Sequence, residues 1–204
     1  MLIARFKLAA IVSLGLATAA AVAALAFGAL DGTASGDYEG SLLPPNVPIR
    51  QFSLSNLNGA TVSLANLQGQ PFLLTFLYTT CPDMCPLTAQ QIRGALDQSG
   101  SKMPVVAVSV DPKSDTPAAA RRWLTEQRMT GRMTWGLGTT AQLERVWKDY
   151  AVLGQTASSD HSTYVFVLDR DGRRCVSWPL SQLTPEGLAH DIKLIESRGG
   201  SCQA

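Results

Sequence analysis

Apolar and polar positions along residues 49–204 switch between two periods, and the switches mark out the elements. From Ile49 the pattern alternates through Phe52, Leu54, Val62 and Leu64 around Asn58-Gly59, a dipeptide at ease in the left-handed region and therefore a strong hairpin signal. A β-hairpin is predicted to open the folded part. Residues 72–78 then run almost without a polar break, the mark of a strand buried on both faces, and residues 87–96 return to helical spacing. Residues 105–110 form a short β-branched run between Pro104 and Asp111-Pro112. This is a second buried strand, parallel to the first because a helix crosses between them. Asp115-Thr116-Pro117 supplies a cap and a proline just inside a helix that continues to Arg128. Residues 133–137 read as a weak strand, and residues 140–150 as a helix with Leu143, Val146 and Trp147 on one face. After a polar loop at 154–160 come a strand at 164–168, a turn at Asp169-Arg170-Asp171-Gly172 and a pairing strand at 174–178. Thr184-Pro185-Glu186 starts a last helix reaching about Ser197.

Strands alternating with helices, with hairpins at both ends, describe an α/β domain, specifically a thioredoxin-like sandwich with an N-terminal β-hairpin. A different pattern precedes it. Arg5 and Lys7 are followed by about 23 uncharged, mostly apolar residues, 8–30. As a helix these would span about 35 Å, enough for a hydrocarbon core of about 30 Å. The basic flank would stay cytoplasmic and the rest would be exported. A cleaved signal peptide is the competing reading, because Ala24-Leu25-Ala26 has the small-x-small form of a processing site. The expected organisation is therefore a membrane anchor or signal at 1–30, a flexible Gly-, Ser- and Pro-containing spacer at 31–48, and the domain at 49–204. With 17 basic and 16 acidic residues dispersed along the chain and no basic run, nucleic acid is excluded as a partner.

Export to an oxidising compartment makes the four cysteines the centre of interest. Cys81 and Cys85 stand where the first buried strand gives way to a helix, in Tyr78-Thr79-Thr80-Cys81-Pro82-Asp83-Met84-Cys85-Pro86. Residues four apart at a helix start come within reach of a reversible disulfide or of one metal ion, and the helix N-terminus favours thiolates. The plain alternative is two buried small apolar side chains, against which the position at a helix start counts. His161 opens the strand expected beside the cysteine-bearing one, so its loop should face the thiols. Two thiolates and an imidazole form a soft set that suits copper(I), with the imidazole also suiting copper(II). Zinc, with Asp160 or Cys175 as a fourth ligand, stays open. Cys175 and Cys202 are expected to pair as a structural disulfide tying the tail to the late hairpin. Met84 is read as a packing residue, His190 as a solvated helix residue, and Asp111 and Asp115 as caps or turn formers.

The segment 76–86, then Val108-Ser109-Val110-Asp111-Pro112 with Asp115-Thr116-Pro117, then Asp160-His161-Ser162, together resemble the Sco/SenC family over about 150 residues. The resemblance implies a membrane-tethered thioredoxin-like protein that binds copper through Cys81, Cys85 and His161. It also implies service in assembling the dinuclear copper centre of cytochrome c oxidase. The implied partners are the copper-centre subunit of the oxidase, with other copper chaperones or thiol reductants beside it. The loop before His161 is shorter and more Ser-rich than the family pattern, and Cys175 and Cys202 are not part of it. Outside the copper reading, the same residues fit a thiol-disulfide oxidoreductase or a peroxide-reducing enzyme in which Cys81 attacks and Cys85 resolves. Thioredoxin-type oxidoreductases place two residues between their cysteines, whereas this chain has three.

Overall fold

A computed structural model describes residues 37–154 and 163–202, and the folded unit begins at Tyr38. The segment 8–30 and His161 lie outside the described residues. Among the described residues no helix is long and apolar enough to cross a membrane.

The elements follow in the order β1 (Ser41–Leu42), β2 (Ser53–Ser55), β3 (Thr61–Ser63), α1 (Leu64–Leu67), β4 (Phe72–Leu77), α2 (Met84–Ser99) and β5 (Val105–Ser109). After these come α3 (Pro117–Glu126), β6 (Met133–Gly136), α4 (Thr140–Asp149), β7 (Tyr164–Leu168), β8 (Arg174–Pro179) and α5 (Pro185–Ser197). One sheet carries six strands in the order β1-β8-β7-β4-β5-β6. β4, β5 and β6 are parallel, while β7, β8 and β1 add antiparallel strands on the other side of β4.

Central β4 explains its own composition. Leu73 and Leu77 point into a cluster with Ile92 and Leu96 of α2, Trp123 of α3 and Ile192 of α5; Phe72, Leu74 and Phe76 point to the opposite face, against Leu143 and Trp147 of α4 and the β2–β3 hairpin. Both faces are covered, so every β4 position is buried and the strand has no room for alternating polar residues. The hairpin turns at Gly59, whose φ of 80° is a left-handed value that glycine adopts without a Cβ penalty. Ser55 joins the hairpin to Leu137 just beyond β6 through reciprocal backbone hydrogen bonds.

Three details differ from the sequence-based expectation. Leu64 does not extend the hairpin strand, because the Ser63 side chain accepts the Asn66 N–H and caps a short helix that buries Leu64 and Leu67. Thr116, not Asp115, caps α3, accepting the Ala119 N–H with Pro117 just inside. Part of the expected spacer at 31–48 belongs to the domain, which begins at Tyr38 and not at Ile49. The fully buried Asp191 carboxylate of α5 is the reason. It accepts the Glu39 and Gly40 N–H groups at 2.8 and 3.0 Å and the Trp178 Nε1–H at 3.0 Å. A buried charge is tolerated only with such donors. They draw residues 38–40 onto the domain, and Ser41–Leu42 then pairs with β8 as an edge strand.

Candidate functional site

β4 ends at Leu77 and α2 begins at Met84, and the six residues between them carry the chain across the end of the sheet. Cys81 lies in this turn, 7% exposed; Cys85 lies in the first turn of α2, fully buried; neither is in a disulfide. The first N–H groups of a helix lack intrahelical partners. Asp83 occupies the N-cap position, yet its side chain makes no capping hydrogen bond. The sulfur of Cys81 takes that place, accepting the Cys85 N–H at 3.2 Å. Pro86, third in the helix, has no N–H to leave unpaired.

This arrangement splits the two thiols. The Cys85 thiol donates to the Cys81 sulfur, and the Cys85 and Asp83 backbone and Tyr78 add to that stabilisation. Together these overcome burial and hold the Cys81 thiol down at about 6. Burial first, and then its bond to the Cys81 sulfur, push the Cys85 thiol far up. Cys81 is the thiolate near neutral pH and Cys85 holds the proton. In the reduced protein, iodoacetamide should therefore modify Cys81 with a midpoint near pH 6, while Cys85 stays nearly inert at that pH. Peptide mass mapping across pH 5–9 reads this directly, and a common midpoint near the ordinary thiol value for both residues would contradict it.

The turn is fastened from below by Asp115. Its carboxylate, 4% exposed, accepts the Thr79 N–H at 2.7 Å through Oδ1 and the Ser109 hydroxyl at 2.6 Å through Oδ2. It thereby ties the cysteine turn to the end of β5. Burial, the largest influence, raises the Asp115 carboxyl above its ordinary value against both hydrogen bonds. Ser109 contributes a second brace, its carbonyl accepting the Trp147 Nε1–H of α4 at 2.8 Å. Read from sequence, Asp115 and Ser109 look like a turn former and a strand end. The available signal was a serine closing an otherwise apolar run, with an aspartate a few residues later.

Cys81 and Cys85 thus come together as expected. His161 lies outside the described residues. β7 runs antiparallel to β4 with Val165 opposite Thr75, and the Thr75 hydroxyl donates to the Tyr164 carbonyl at 2.9 Å. The start of β7 therefore sits beside the end of β4 from which the cysteine turn departs. Met84 does not pack as expected: it is 49% exposed, and Leu87 one turn on is 43% exposed, so two apolar side chains flank the sulfurs at the surface. Cys175 and Cys202 form a disulfide between β8 and the tail after α5, with Cα atoms 5.3 Å apart. Chain-entropy reasoning for a loop of this length gives it roughly 3–4 kcal/mol.

A mixed sheet between two helical layers, with a dithiol on the turn from its central strand into a helix, defines a thioredoxin-fold protein of the dithiol class. The family model described as SCO1/SenC matches residues 43–196, and the chain belongs to that family. Similar proteins include Protein SenC of Rhodobacter capsulatus, 32% identical over 128 residues, or 58% of this chain and 57% of that one. The mitochondrial Protein SCO2 homolog of Bos taurus is 32% identical over 133 residues, 59% of this chain and 50% of that one. Among solved structures, the copper-bound structure of Bradyrhizobium japonicum ScoI is 31% identical with a TM-score of 0.60, covering 71% of this chain and 97% of that one. The chain spans less than two thirds of the length of the curated relatives it matches, from 65% down to 43%.

Proposed function

We propose that this protein is a copper chaperone that holds copper on Cys81, Cys85 and His161 and passes it by ligand exchange to the dinuclear copper site of cytochrome c oxidase. The observation that carries the proposal is the unbonded sulfur pair at the helix start, one member already a thiolate. Thiolates are the ligand form, and soft ones favour copper(I). The solved relative ScoI has copper bound, and the recipient follows from the family resemblance. Binding replaces the proton on Cys85, so copper uptake releases a proton and weakens at low pH.

The two sulfurs are not equally open, and this orders the exchange. Cys81 is the entry ligand, and Cys85, fully buried, closes on the ion second. Exposed Met84 and Leu87 give a docking partner apolar surface next to the sulfurs. Residues 8–30 would anchor the protein so that the domain works on the exported side of a membrane; release after signal cleavage is the alternative.

The same asymmetry favours a second reading, a thiol-disulfide oxidoreductase. Thiolate Cys81 attacks a partner disulfide, forming a mixed disulfide and releasing one partner thiolate. Cys85 then displaces the second, leaving Cys81–Cys85 oxidised and the partner reduced. Copper reconstitution of the reduced domain, followed by metal analysis and insulin reduction on one preparation, separates the two. One copper per chain with weak insulin reduction is expected. Substoichiometric copper with strong reduction would transfer the function to the oxidoreductase.

A further inference from the structure

The second cysteine pair lies at the far end of the sheet. Along β7 the chain runs from Tyr164, beside the thiol turn, to Asp169, which is five residues or about 17 Å away. There the β7–β8 pairing shifts register between Val167 and Leu168. Asp169, Cys175 and Cys202 gather around this irregularity with one donor atom from each within 4.8 Å of the others.

Asp169 is only 3% exposed. Its Oδ1 is satisfied by the Asp171 and Arg173 N–H groups at 3.0 and 2.8 Å. Its Oδ2 points instead at the Cys202 sulfur, 3.2 Å away, with the Arg173 guanidinium no nearer than 3.9 Å. A disulfide sulfur carries no hydrogen, so this buried carboxylate oxygen faces an atom that cannot donate to it. The Arg173 carbonyl also approaches both sulfurs, at 3.6 Å from Cys175 and 3.9 Å from Cys202. That carbonyl also accepts the Asp169 N–H at 2.9 Å, so the Asp169 Oδ2 is the oxygen left facing the sulfurs without an N–H or O–H donor at hydrogen-bond distance, a setting that suits a cation better than a disulfide.

We propose that Asp169, Cys175 and Cys202 form a redox-gated zinc site, distinct from the Cys81–Cys85 centre. A dithiol reductant would attack Cys202, the less buried sulfur, forming a mixed disulfide and releasing Cys175 as a thiol. The reductant's second thiol then closes its own disulfide and frees Cys202. Two electrons and two protons have passed to the pair. Zn²⁺ replaces both protons, taking two thiolates and the Asp169 Oδ2, with water in the fourth tetrahedral position. The hard carboxylate selects zinc over copper(I), which prefers sulfur alone. Metal then restores the link between tail and β8 that reduction removes.

The test uses the full chain carrying Cys81→Ser and Cys85→Ser, so that only the second pair can respond. It is reduced with a water-soluble phosphine, which competes for zinc far less than a dithiol, and titrated with Zn²⁺ alone. One zinc per chain is expected after reduction and none before, with zinc raising the unfolding temperature of the reduced protein. Asp169→Asn keeps the Oδ1 acceptor that shapes the turn and should weaken zinc binding at least tenfold. Cys202→Ser, in the tail and clear of that turn, should abolish binding and serves if the first variant does not fold. No stoichiometric uptake by the reduced protein, or parental affinity in either variant, overturns the site and leaves a purely structural disulfide.

Discussion

Cys85→Ser is expected to lower copper(I) affinity by well over 100-fold while the domain still folds cooperatively. Loss of an outer partner of a metal ligand already costs about 10–100-fold, and here a direct thiolate ligand is replaced by a hard hydroxyl too weakly acidic to bind a soft ion as an anion. The fold should tolerate the change. Serine is close in shape, and its O–H can donate to the Cys81 sulfur as the Cys85 thiol does. The cost is that of burying a more polar group at a fully buried position, about 1–3 kcal/mol. Cys81→Ser should be as damaging to copper binding, yet leave an oxygen able to accept the Cys85 N–H and keep the start of α2 capped. Competition against a chromophoric copper(I) chelator, paired with thermal unfolding, gives both quantities. Copper affinity within tenfold of the parent in either variant would remove the two-thiolate site.

The parts of this molecule that declare themselves in sequence are those whose local chemistry and tertiary setting agree. β4 reads as a run because both its faces are covered, the hairpin reads from Asn58-Gly59, and the starts of α3 and α5 read from a capping side chain ahead of a proline. The dithiol was legible for the same reason, since a cysteine pair between an apolar run and a helical period has few other uses. What stayed hidden depends on partners far away in the chain. β1 is two residues with no periodicity, held in place because Asp191, about 150 residues later, needs the backbone donors of Glu39 and Gly40. Asp115 reads as a cap next to Pro117, but its carboxylate turns inward to the Thr79 N–H, a contact that only the β4–β5 pairing creates. Met84 has the composition of a core residue, and only the direction of the first turn of α2 shows that it faces outward.

His161→Ala should separate copper handling from thiol chemistry, which the cysteine variants cannot do. The substitution leaves both sulfurs, the Cys85 N–H bond to Cys81 and the Asp115 brace in place. The Cys81 sulfur keeps the Cys85, Tyr78 and Asp83 groups that stabilise its thiolate, so dithiol–disulfide exchange should persist within a few-fold of the parent rate. Copper(II) should suffer most. It favours nitrogen ligands, and two thiolates alone give it neither a suitable donor set nor enough of them. Copper(I), content with two soft sulfurs, should stay on the pair but more weakly. The expected profile is therefore loss of most copper(II) binding, a smaller loss for copper(I), near-parental insulin reduction, and failure of oxidase copper loading in cells. Sequence order puts this residue just ahead of β7, whose start lies against the end of β4, and that topology is the structural reason to choose it. Copper(II) affinity unchanged by the substitution, alongside a collapse of insulin reduction, would reverse the assignment: His161 would then serve the exchange of electrons at Cys81, and the protein would act as a reductase.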